Sequence, residues 1–331
     1  MRSPAKQGKR RGAALIVVLA TLLALVPSVY SLLDDSFSHT REPALLANEY
    51  RAGILAESGL DIALNLLAQD ADPLSDTPRE PWCGGRPGLE GRPLPVWDLR
   101  GLTVTVIPCN AYLNLNAVLT GKEPTAEKPN PVRERLEKAL GALLLTQQKS
   151  HALVLALQDW IDEDTSQRLP GAEGMAYASA NRGYGPRNSQ ILRPEEVLLV
   201  AGWESLDPGW IRGRFTAWGD AEPRLNVNFA PVQLLEALVP ELVPFRAQIV
   251  AFRDSQGFQD VSQLLTVTGM DEETYAEIAP FLTVRSDQFL VLSRAETGTW
   301  VETRRFVIDR EISTGKGKAL CSDVLFTGTK S

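Results

Sequence analysis

The first apolar stretch of the chain runs from Ala13 to Leu33 without a charged residue. A helix of that length crosses a hydrocarbon core of about 30 Å, so the pattern predicts one membrane-spanning helix. From Pro43 to Gln69, apolar residues recur near helical spacing between charged ones, which predicts an amphipathic helix that continues the first. We expect Pro27 and Pro43 to kink or interrupt this long helix. Its apolar positions are Leu46, Tyr50, Ile54, Leu60, Leu64 and Leu67.

Three later stretches have the β-branched content of strands. The first is Leu102 to Ile107, and the other two, Phe289 to Arg294 and Trp300 to Asp309, are joined by a turn at Glu296 to Thr299. Residues from Asp72 to Pro95 are rich in Pro, Gly and Arg and predict a loop. The long segment between the first strand and the other two is mostly helical in pattern. The expected fold class is α+β, a small antiparallel sheet on a long helix with a large all-α domain inserted into the sheet.

Charge is distributed unevenly along the 331 residues. The formal net charge is −7, which argues against nucleic acid as the main partner, because phosphate binding needs concentrated Lys and Arg. The basic residues Lys6, Lys9, Arg10 and Arg11 all precede the apolar stretch. Positive charge before a membrane helix holds that end in the cytoplasm, so the rest of the chain is expected on the outer side of the membrane.

The junction between the basic residues and the apolar stretch is the pair Gly12 and Ala13. A cleavable secretory signal also has a basic start and an apolar core, but this core is long and has no clear small-x-small cleavage site at its end. Basic residues, a glycine and then an uninterrupted apolar helix resemble the precursors of type IV pilins and pseudopilins. The resemblance implies that a membrane aspartyl protease, the prepilin peptidase, cuts after Gly12 and leaves Ala13 as the mature amino terminus, open to methylation.

The residue at position 17 restricts the resemblance to one type of pseudopilin. Most pilins and pseudopilins carry a Glu as the fifth residue of the mature chain, and Val17 stands there. The K-type minor pseudopilin of type II secretion lacks that acid. The segments Tyr50 to Leu60, Asn110 to Asn116 and Leu225 to Pro231 also resemble the K-type family, and so does the large insertion. In the first segment, Ala and Gly are expected to let the sheet pack closely on the helix. In the other two, each Asn-x-Asn is expected at a turn that leads into a helix. The implied organisation is a leader peptide at 1–12, a membrane helix at 13–33, helix, loop and first strand at 34–109, an inserted α-helical domain at 110–284 and the remaining strands with a tail at 285–331.

The resemblance implies a structural role. A K-type subunit caps the tip of a short periplasmic filament, the pseudopilus, which helps to export folded proteins across the outer membrane. The implied partners are the I and J types of minor pseudopilin, the prepilin peptidase and the inner-membrane secretion platform, with no nucleic acid. The implied location is the inner membrane, crossed once, with the carboxyl-terminal bulk in the periplasm. The alternative is a signal-anchored periplasmic enzyme or adaptor that uses a metal site.

An acidic stretch inside the inserted domain is the candidate metal site. Asp159, Asp162 and Asp164 are closely spaced, and Glu173 follows them. Calcium takes six to eight oxygen ligands, which carboxylates on a loop can supply. The K-type family holds calcium in this domain, although Gly174 stands where the family pattern has a further Asp. The alternative is a solvated acidic helix end without a metal.

Three cysteines, Cys83, Cys109 and Cys321, are too scattered for a zinc site. Cys83 and Cys109 flank the loop that leads into the first strand, and we predict a disulfide between them in the oxidising compartment. Closing that loop would stabilise the fold by about 3.5 kcal/mol on the chain-entropy model. Cys321 is the rival partner.

Residues 225–283 resemble a helix-hairpin-helix module. Such modules often bind DNA, but acidic residues outnumber Arg246 and Arg253 here, so a packing role toward protein partners is favoured. The sequence contains no G-x-S-x-G motif and no phosphate-binding glycine loop. His151 precedes an apolar run and is interpreted as a packed helix residue. We therefore predict that the protein is not an enzyme.

Overall fold

The computed structural model describes residues 9–83, 96–119, 130–219, 222, 224–311 and 317–329. Helix α1, Lys9–Ala68, is a single helix of 60 residues that contains both the predicted membrane span and the predicted amphipathic helix. At 1.5 Å per residue it is about 90 Å long. It continues through Pro27 and Pro43, so neither proline interrupts it. A proline removes one main-chain hydrogen bond, and the turns on each side still hold the helix together.

The other elements follow in chain order. Strands β1 (Trp97–Leu99), β2 (Leu102–Pro108) and β3 (Leu113–Asn114) precede helices α2 (Pro131–Thr146), α3 (Ala152–Ile161), α4 (Gly174–Ser179) and α5 (Pro208–Arg212). Strands β4 (Phe215–Thr216) and β5 (Leu225–Asn226) lead to α6 (Val232–Leu238), α7 (Arg246–Ser255), α8 (Gln263–Thr268) and α9 (Glu272–Ile278). The chain then forms β6 (Leu282–Thr283), β7 (Gln288–Thr297), β8 (Trp300–Arg310) and β9 (Gly317–Thr329).

The main sheet has five antiparallel strands in the order β1-β2-β7-β8-β9. Strands β2 and β7 are hydrogen-bonded neighbours, with Ile107 opposite Leu290, although the whole inserted domain separates them in sequence. Strands β7 and β8 form a hairpin in which Gly298, with φ of 58°, takes the positive angle that the tight turn needs. The three predicted strands and the predicted insertion are confirmed. Strands β1 and β9 were not predicted.

Helix α1 contacts the sheet through small residues. Ala52, Ala56 and Ala63 are fully buried against it, and a Cβ added at Gly59 would lie 2.6 Å from Cβ of Ser293 on β7. Small side chains let the two elements approach closely, as the resemblance implied. By contrast, Leu46, Tyr50 and Ile54 are 65%, 72% and 49% exposed, so these apolar positions of the predicted amphipathic helix are not covered within this chain.

The inserted domain is built from two units, each closed by a short parallel strand pair. In the first unit β3 pairs with β4, and in the second β5 pairs with β6. Helices α2 to α5 lie between the strands of the first pair, and α6 to α9 between those of the second. These strand pairs bring the two ends of each unit together, an addition to the predicted helical character of the domain.

Two asparagines play the same part in the two units. Asn116 accepts a hydrogen bond from the amide of Ile191 and donates to the carbonyl of the same residue, at 2.8 and 2.9 Å. Asn228 makes the same pair of contacts with Phe258, at 2.8 and 2.7 Å. Each side chain thus makes the two main-chain hydrogen bonds that a neighbouring β-strand would make to that residue. The Asn-x-Asn segments also form the expected turns, in which Asn114 and Asn226 accept from the second asparagine's amide.

Local sequence explains where helices begin. The side chain of Asn130 accepts a hydrogen bond from the amide of Arg133, and Pro131 occupies the first turn of α2. Asp271 caps α9 in the same way through the amide of Thr274. These residues satisfy amides that a helix leaves open at its start.

Candidate metal centre and the other predicted sites

Three of the predicted metal ligands come together in the inserted domain. Asp162, Asp164 and Glu173 each offer one carboxylate oxygen, and the three oxygens lie within 4.8 Å of one another. Asp162 directly follows helix α3. Glu173 precedes helix α4, where its side chain accepts a hydrogen bond from the amide of Gly174. The end of one helix and the start of the next therefore set the spacing of the group.

Buried oxygen atoms at this place lack hydrogen-bond donors. Within the described part of the chain, Asp162 Oδ1, Glu173 Oε1 and Asn188 Oδ1 are buried without a hydrogen-bond partner. Asn188 is held beside the group because its Nδ2 donates to the main-chain oxygen of Asp164, at 2.7 Å. Leaving such oxygens unpaired is costly, and oxygens of this kind are the ligands that calcium prefers. The residues therefore fit a calcium ion.

Asp159, the fourth predicted ligand, lies outside that group of three oxygens. Its side chain is fully buried and accepts hydrogen bonds from the amide and from Nη1 of Arg168, at 3.1 and 3.2 Å. Arg168 also pairs with Asp162. In this structure Asp159 anchors Arg168, which shapes the loop and supplies one positive charge beside several carboxylates.

The electrostatics of Glu173 reflect this crowding. Burial raises the pKa of its carboxyl, and the nearby Asp159 and Asp164 raise it further, against the hydrogen bond from Gly174 and the charge of Arg168. A divalent cation would oppose that shift, because it favours the charged form of each carboxylate. A surface pocket lined in part by Gln167, Glu173 and Asn188 reaches the site from solvent.

Asn188 was missed by the sequence analysis. It lies 24 positions after Asp164 in a stretch without an acidic pattern, and it adopts a positive φ of 51°. No local signal marks it as a ligand, since only the folding of the loop against helix α3 brings it there. Its main-chain amide donates to the carbonyl of Trp160 in that helix, at 3.0 Å.

The predicted cleavage pair, Gly12 and Ala13, lies near the start of helix α1. Within the described residues, one segment, Ala14–Ser31, is long and apolar enough to cross a membrane, and none of it is buried. An apolar helix without partners inside its own chain suits a lipid environment. The prediction of cleavage between the two residues stays a prediction.

The structure contains no disulfide among Cys83, Cys109 and Cys321, all of which it describes. The predicted link between Cys83 and Cys109 is therefore not formed in it. Cys83 and Cys109 are buried and Cys321 is exposed. Burial raises the pKa of the Cys109 thiol, and Cys321 is close enough to act on it electrostatically. The rival link from Cys109 to Cys321 is not formed either.

The arginines of the helix-hairpin-helix region have structural contacts. Arg246 pairs with Glu236, and the buried Arg253 donates to the carbonyl of Ala230 at 2.8 Å. His151 is exposed at the start of helix α3, so its interpretation as a packed helix residue is wrong. The apolar run that follows turns its other residues inward, while the first position stays at the surface.

Comparisons with known proteins agree with one another. Residues 111–207 match the family model "Type II secretion system (T2SS), protein K", and residues 220–283 match a helix-hairpin-helix motif. The chain is 26% identical over 311 residues to "Type II secretion system protein K" from Klebsiella pneumoniae, covering 92% of this chain and 93% of that protein.

A solved structure shares the fold. The chain is similar to one in the crystal structure of the GspK-GspI-GspJ complex from the type 2 secretion system of enterotoxigenic Escherichia coli. The TM-score is 0.66 at 22% identity, over 86% of this chain and 99% of the other. The likeness extends over most of the chain and shows a shared fold.

Proposed function

Because this chain is a minor pseudopilin of the type II secretion protein K family, we propose that it caps the periplasmic tip of the pseudopilus. The observation that carries the proposal is the domain inserted between the neighbouring strands β2 and β7. It makes a broad head on a fold whose other parts are one helix and one sheet. A broad head leaves no room for another subunit to stack above it, which suits a terminal position.

The membrane helix supports the same position. The stretch from Ala13 to Leu33 contains no carboxylate, and an acid inside lipid needs a partner group. In a filament that partner is commonly the amino terminus of the subunit ahead. A subunit with nothing ahead of it has no use for the acid.

The exposed face of helix α1 supports neighbours at its side. Leu46, Tyr50 and Ile54 follow one another at intervals of four residues, so they form one apolar stripe turned away from the sheet. We propose that I-type and J-type minor pseudopilins pack there, since the similar chain from Escherichia coli forms a complex with GspI and GspJ. The prepilin peptidase and the inner-membrane platform are the other proposed partners.

The single span implies the orientation. Lys6, Lys9, Arg10 and Arg11 hold the amino terminus in the cytoplasm, which places the sheet and the inserted domain in the periplasm. The alternative of a signal-anchored enzyme or adaptor is not favoured, because the matched family is a structural component of the secretion system.

We further propose that the group of Asp162, Asp164, Glu173 and Asn188 binds calcium. Its support is the set of three buried oxygens without donors at one place. The ion would tie the end of helix α3 to the start of helix α4 and so order the loop between them. Its role is structural, since the site lies within the inserted domain and needs no substrate.

Processing provides the test of the pseudopilin assignment. A Gly12→Trp variant should remain uncut and fail to support secretion, because a bulky residue before the cut cannot enter the peptidase site. A Gly8→Trp variant, which changes another glycine of the leader, should mature normally. Mass spectrometry should find Ala13 as the first residue of the wild-type protein. Normal maturation of Gly12→Trp, or cleavage beyond Leu33, would contradict the proposal.

A further inference from the structure

A second cluster of acidic residues lies outside the proposed calcium site. Asp70 follows helix α1, and Asp76 and Glu80 come from the segment after it. The three residues each offer an oxygen, and these oxygens lie within 4.8 Å of one another. We call this set of three the junction carboxylates.

One buried cation faces the junction carboxylates. Arg310, at the end of strand β8, donates to Asp70 at 2.6 Å and to Asp76 Oδ1 at 2.8 Å. It also donates to the carbonyls of Pro73 and Ser286, at 3.3 and 2.7 Å. One guanidinium thus stands against three carboxyl groups. At least one of the three is poorly compensated whenever all are charged.

Asp76 pairs with Arg310 through Oδ1 alone, and its other carboxylate oxygen lacks a donor in the described part of the chain. It is completely buried, and its Oδ2 has no hydrogen-bond partner among the described residues. Both oxygens of Glu80 accept hydrogen bonds, from the amide of Thr77 at 2.7 Å and from Nε1 of Trp82 at 2.6 Å. A proton on Asp76 Oδ2 would remove its charge and provide a donor toward a neighbouring carboxylate.

The pKa values of two of the junction carboxylates are raised in the folded protein. Burial raises the pKa of Asp76 to about 7, against the opposing effect of Arg310. Burial also raises the pKa of Glu80 to about 8, with Asp76 and Asp70 adding to the shift. Arg79, also on this segment, is exposed and donates to the carbonyl of Ser255.

Among the described residues, the other groups around Asp76 do not add a second positive charge to balance the junction carboxylates. From the connector before β7, Asp287 pairs with Arg285, at 2.9 Å. From the inserted domain, the side chains that meet the segment are the uncharged Asn228 and Gln259. Asp72 is exposed and accepts from the amide of Leu74.

The cluster lies where the inserted domain joins the rest of the molecule. The amide of Asp76 donates to the carbonyl of Val284, at 2.7 Å, and its carbonyl accepts from Asn228, at 2.8 Å. Ser75 donates to Gln259, at 2.9 Å. Residues 70–83 therefore connect helix α1 and strand β8 with the helix-hairpin-helix region.

We propose that residues 70–83 form a proton-dependent clasp, in which a proton on Asp76 holds the inserted domain against the helix and sheet. A carboxyl whose pKa is higher in the folded state than in the unfolded state favours folding when it is protonated. The contribution of Asp76 is complete below its ordinary pKa of 3.8 and is lost as the pH rises through about 7. As Asp76 and then Glu80 lose their protons, three carboxylates come to face Arg310, and the clasp opens.

Hydrogen exchange of the full-length protein in detergent tests the clasp. The amides to follow are that of Asp76, which bonds to Val284 across the junction, and that of Phe258, which bonds to Asn228 inside the inserted domain next to the junction. After correction for intrinsic exchange, loss of one proton should raise their opening constant up to about 100-fold between pH about 5 and about 7. An Asp76→Asn variant keeps an acceptor for Arg310 and should lose the part of this dependence that Asp76 contributes, while Glu80 still titrates in the same range. Asp72→Asn, a neutralisation on the same segment, should retain it.

A second measurement covers the case in which Asp76→Asn fails to fold. Infrared spectra of the wild-type protein should show the carbonyl stretch of a buried protonated carboxyl, and that band should disappear near neutral pH. Absence of the band would overturn the proposal, as would equal pH dependence in Asp76→Asn and wild type. Exchange should also be compared in a chelator and in millimolar calcium. If calcium restores protection of the Asp76 amide at alkaline pH, a metal ion and not a proton neutralises the cluster.

Discussion

Gly59 lies at a close approach of helix α1 to the sheet. A Cβ there would lie 2.6 Å from Cβ of Ser293 and 3.2 Å from Cγ2 of Val104, on two neighbouring strands. Glycine is ordinarily unfavourable inside a helix. At this position, the space between helix and sheet outweighs that local preference.

Replacing Gly59 with Ala should destabilise the protein by about 1–3 kcal/mol, because the added methyl group forces the helix away from β7. The measurement is the free energy of unfolding in denaturant. Gly183→Ala is the control, since an added Cβ at Gly183 meets no atom within 4 Å. Equal stability of Gly59→Ala and wild type would show that the helix can shift at no cost.

The residue scale also explains the two asparagine pairs. Asn116 and Asn228 each bond to both main-chain groups of one distant residue. A shorter or apolar side chain would leave those buried groups unpaired. The Asn-x-Asn pattern predicted the turns, but the distant residues Ile191 and Phe258 became known only from the fold.

Among the elements, the loop between helices α3 and α4 brings several carboxylates close together. Asp162 and Glu173 are held at its two ends, and Arg168 compensates only part of their charge. A bound ion would complete the compensation and join the two helix ends.

Calcium should therefore raise the melting temperature of the purified protein relative to a chelator. Binding to the folded state alone contributes about 2.7 kcal/mol at a hundredfold excess over Kd. Asp162→Ala should remove most of the difference. Glu163→Ala removes a neighbouring exposed carboxylate that is not in the group of three, and it should keep the difference. If wild type shows no shift at millimolar calcium, the group is an ordinary acidic loop.

The strand at the sheet edge could not be predicted from the pattern of apolar and polar residues. Strand β9, Gly317–Thr329, is long, yet most of its side chains are exposed, among them Leu320 and Phe326 at 50% each. An edge strand exposed on both faces has no alternation of buried and polar positions. Pairing with β8 defines it, and Arg305 bonds its Asp323 at 2.8 Å.

At the scale of the whole molecule, the cysteines allow a test of the orientation of the protein in the membrane. Cys321 is exposed, whereas Cys83 and Cys109 are 6% and 1% exposed. In cells with a permeabilised outer membrane, a membrane-impermeant maleimide should label Cys321, because the proposed orientation places the sheet in the periplasm. A Cys321→Ser variant should remain unlabelled. Labelling of wild type only after the inner membrane is broken would contradict the proposed orientation.

The same reagent tests the predicted disulfide. The protein is blocked at Cys321 and then unfolded without reductant. Labelling of both Cys83 and Cys109 would refute the pairing, and protection of both until reductant is added would support it. The structure, in which no disulfide is formed, is the reason to make this measurement.

The sequence by itself determined the membrane helix, the three strongest strands, the insertion and the acidic loop. These features depend on neighbours along the chain: a charge-free run, alternating β-branched residues, or carboxylates a few positions apart. The resemblance to the K-type family rested on similarly local segments. The exposure of Leu46, Tyr50 and Ile54 could not be predicted from the sequence. Helical periodicity indicates an apolar face but not which element or partner covers it.

The tertiary structure alone decided which distant residues meet. Arg310 reaches Asp76 across 234 positions, and no pattern in the sequence connects them. Asn188 lies beside the candidate calcium site, and Asp159 bonds to Arg168 outside it, for the same reason. Such contacts depend on how whole elements pack, and a small shift of one helix would exchange one partner for another. Local sequence determines where the helices and strands form. Burial of the shared core determines which of their polar groups must form hydrogen bonds with one another.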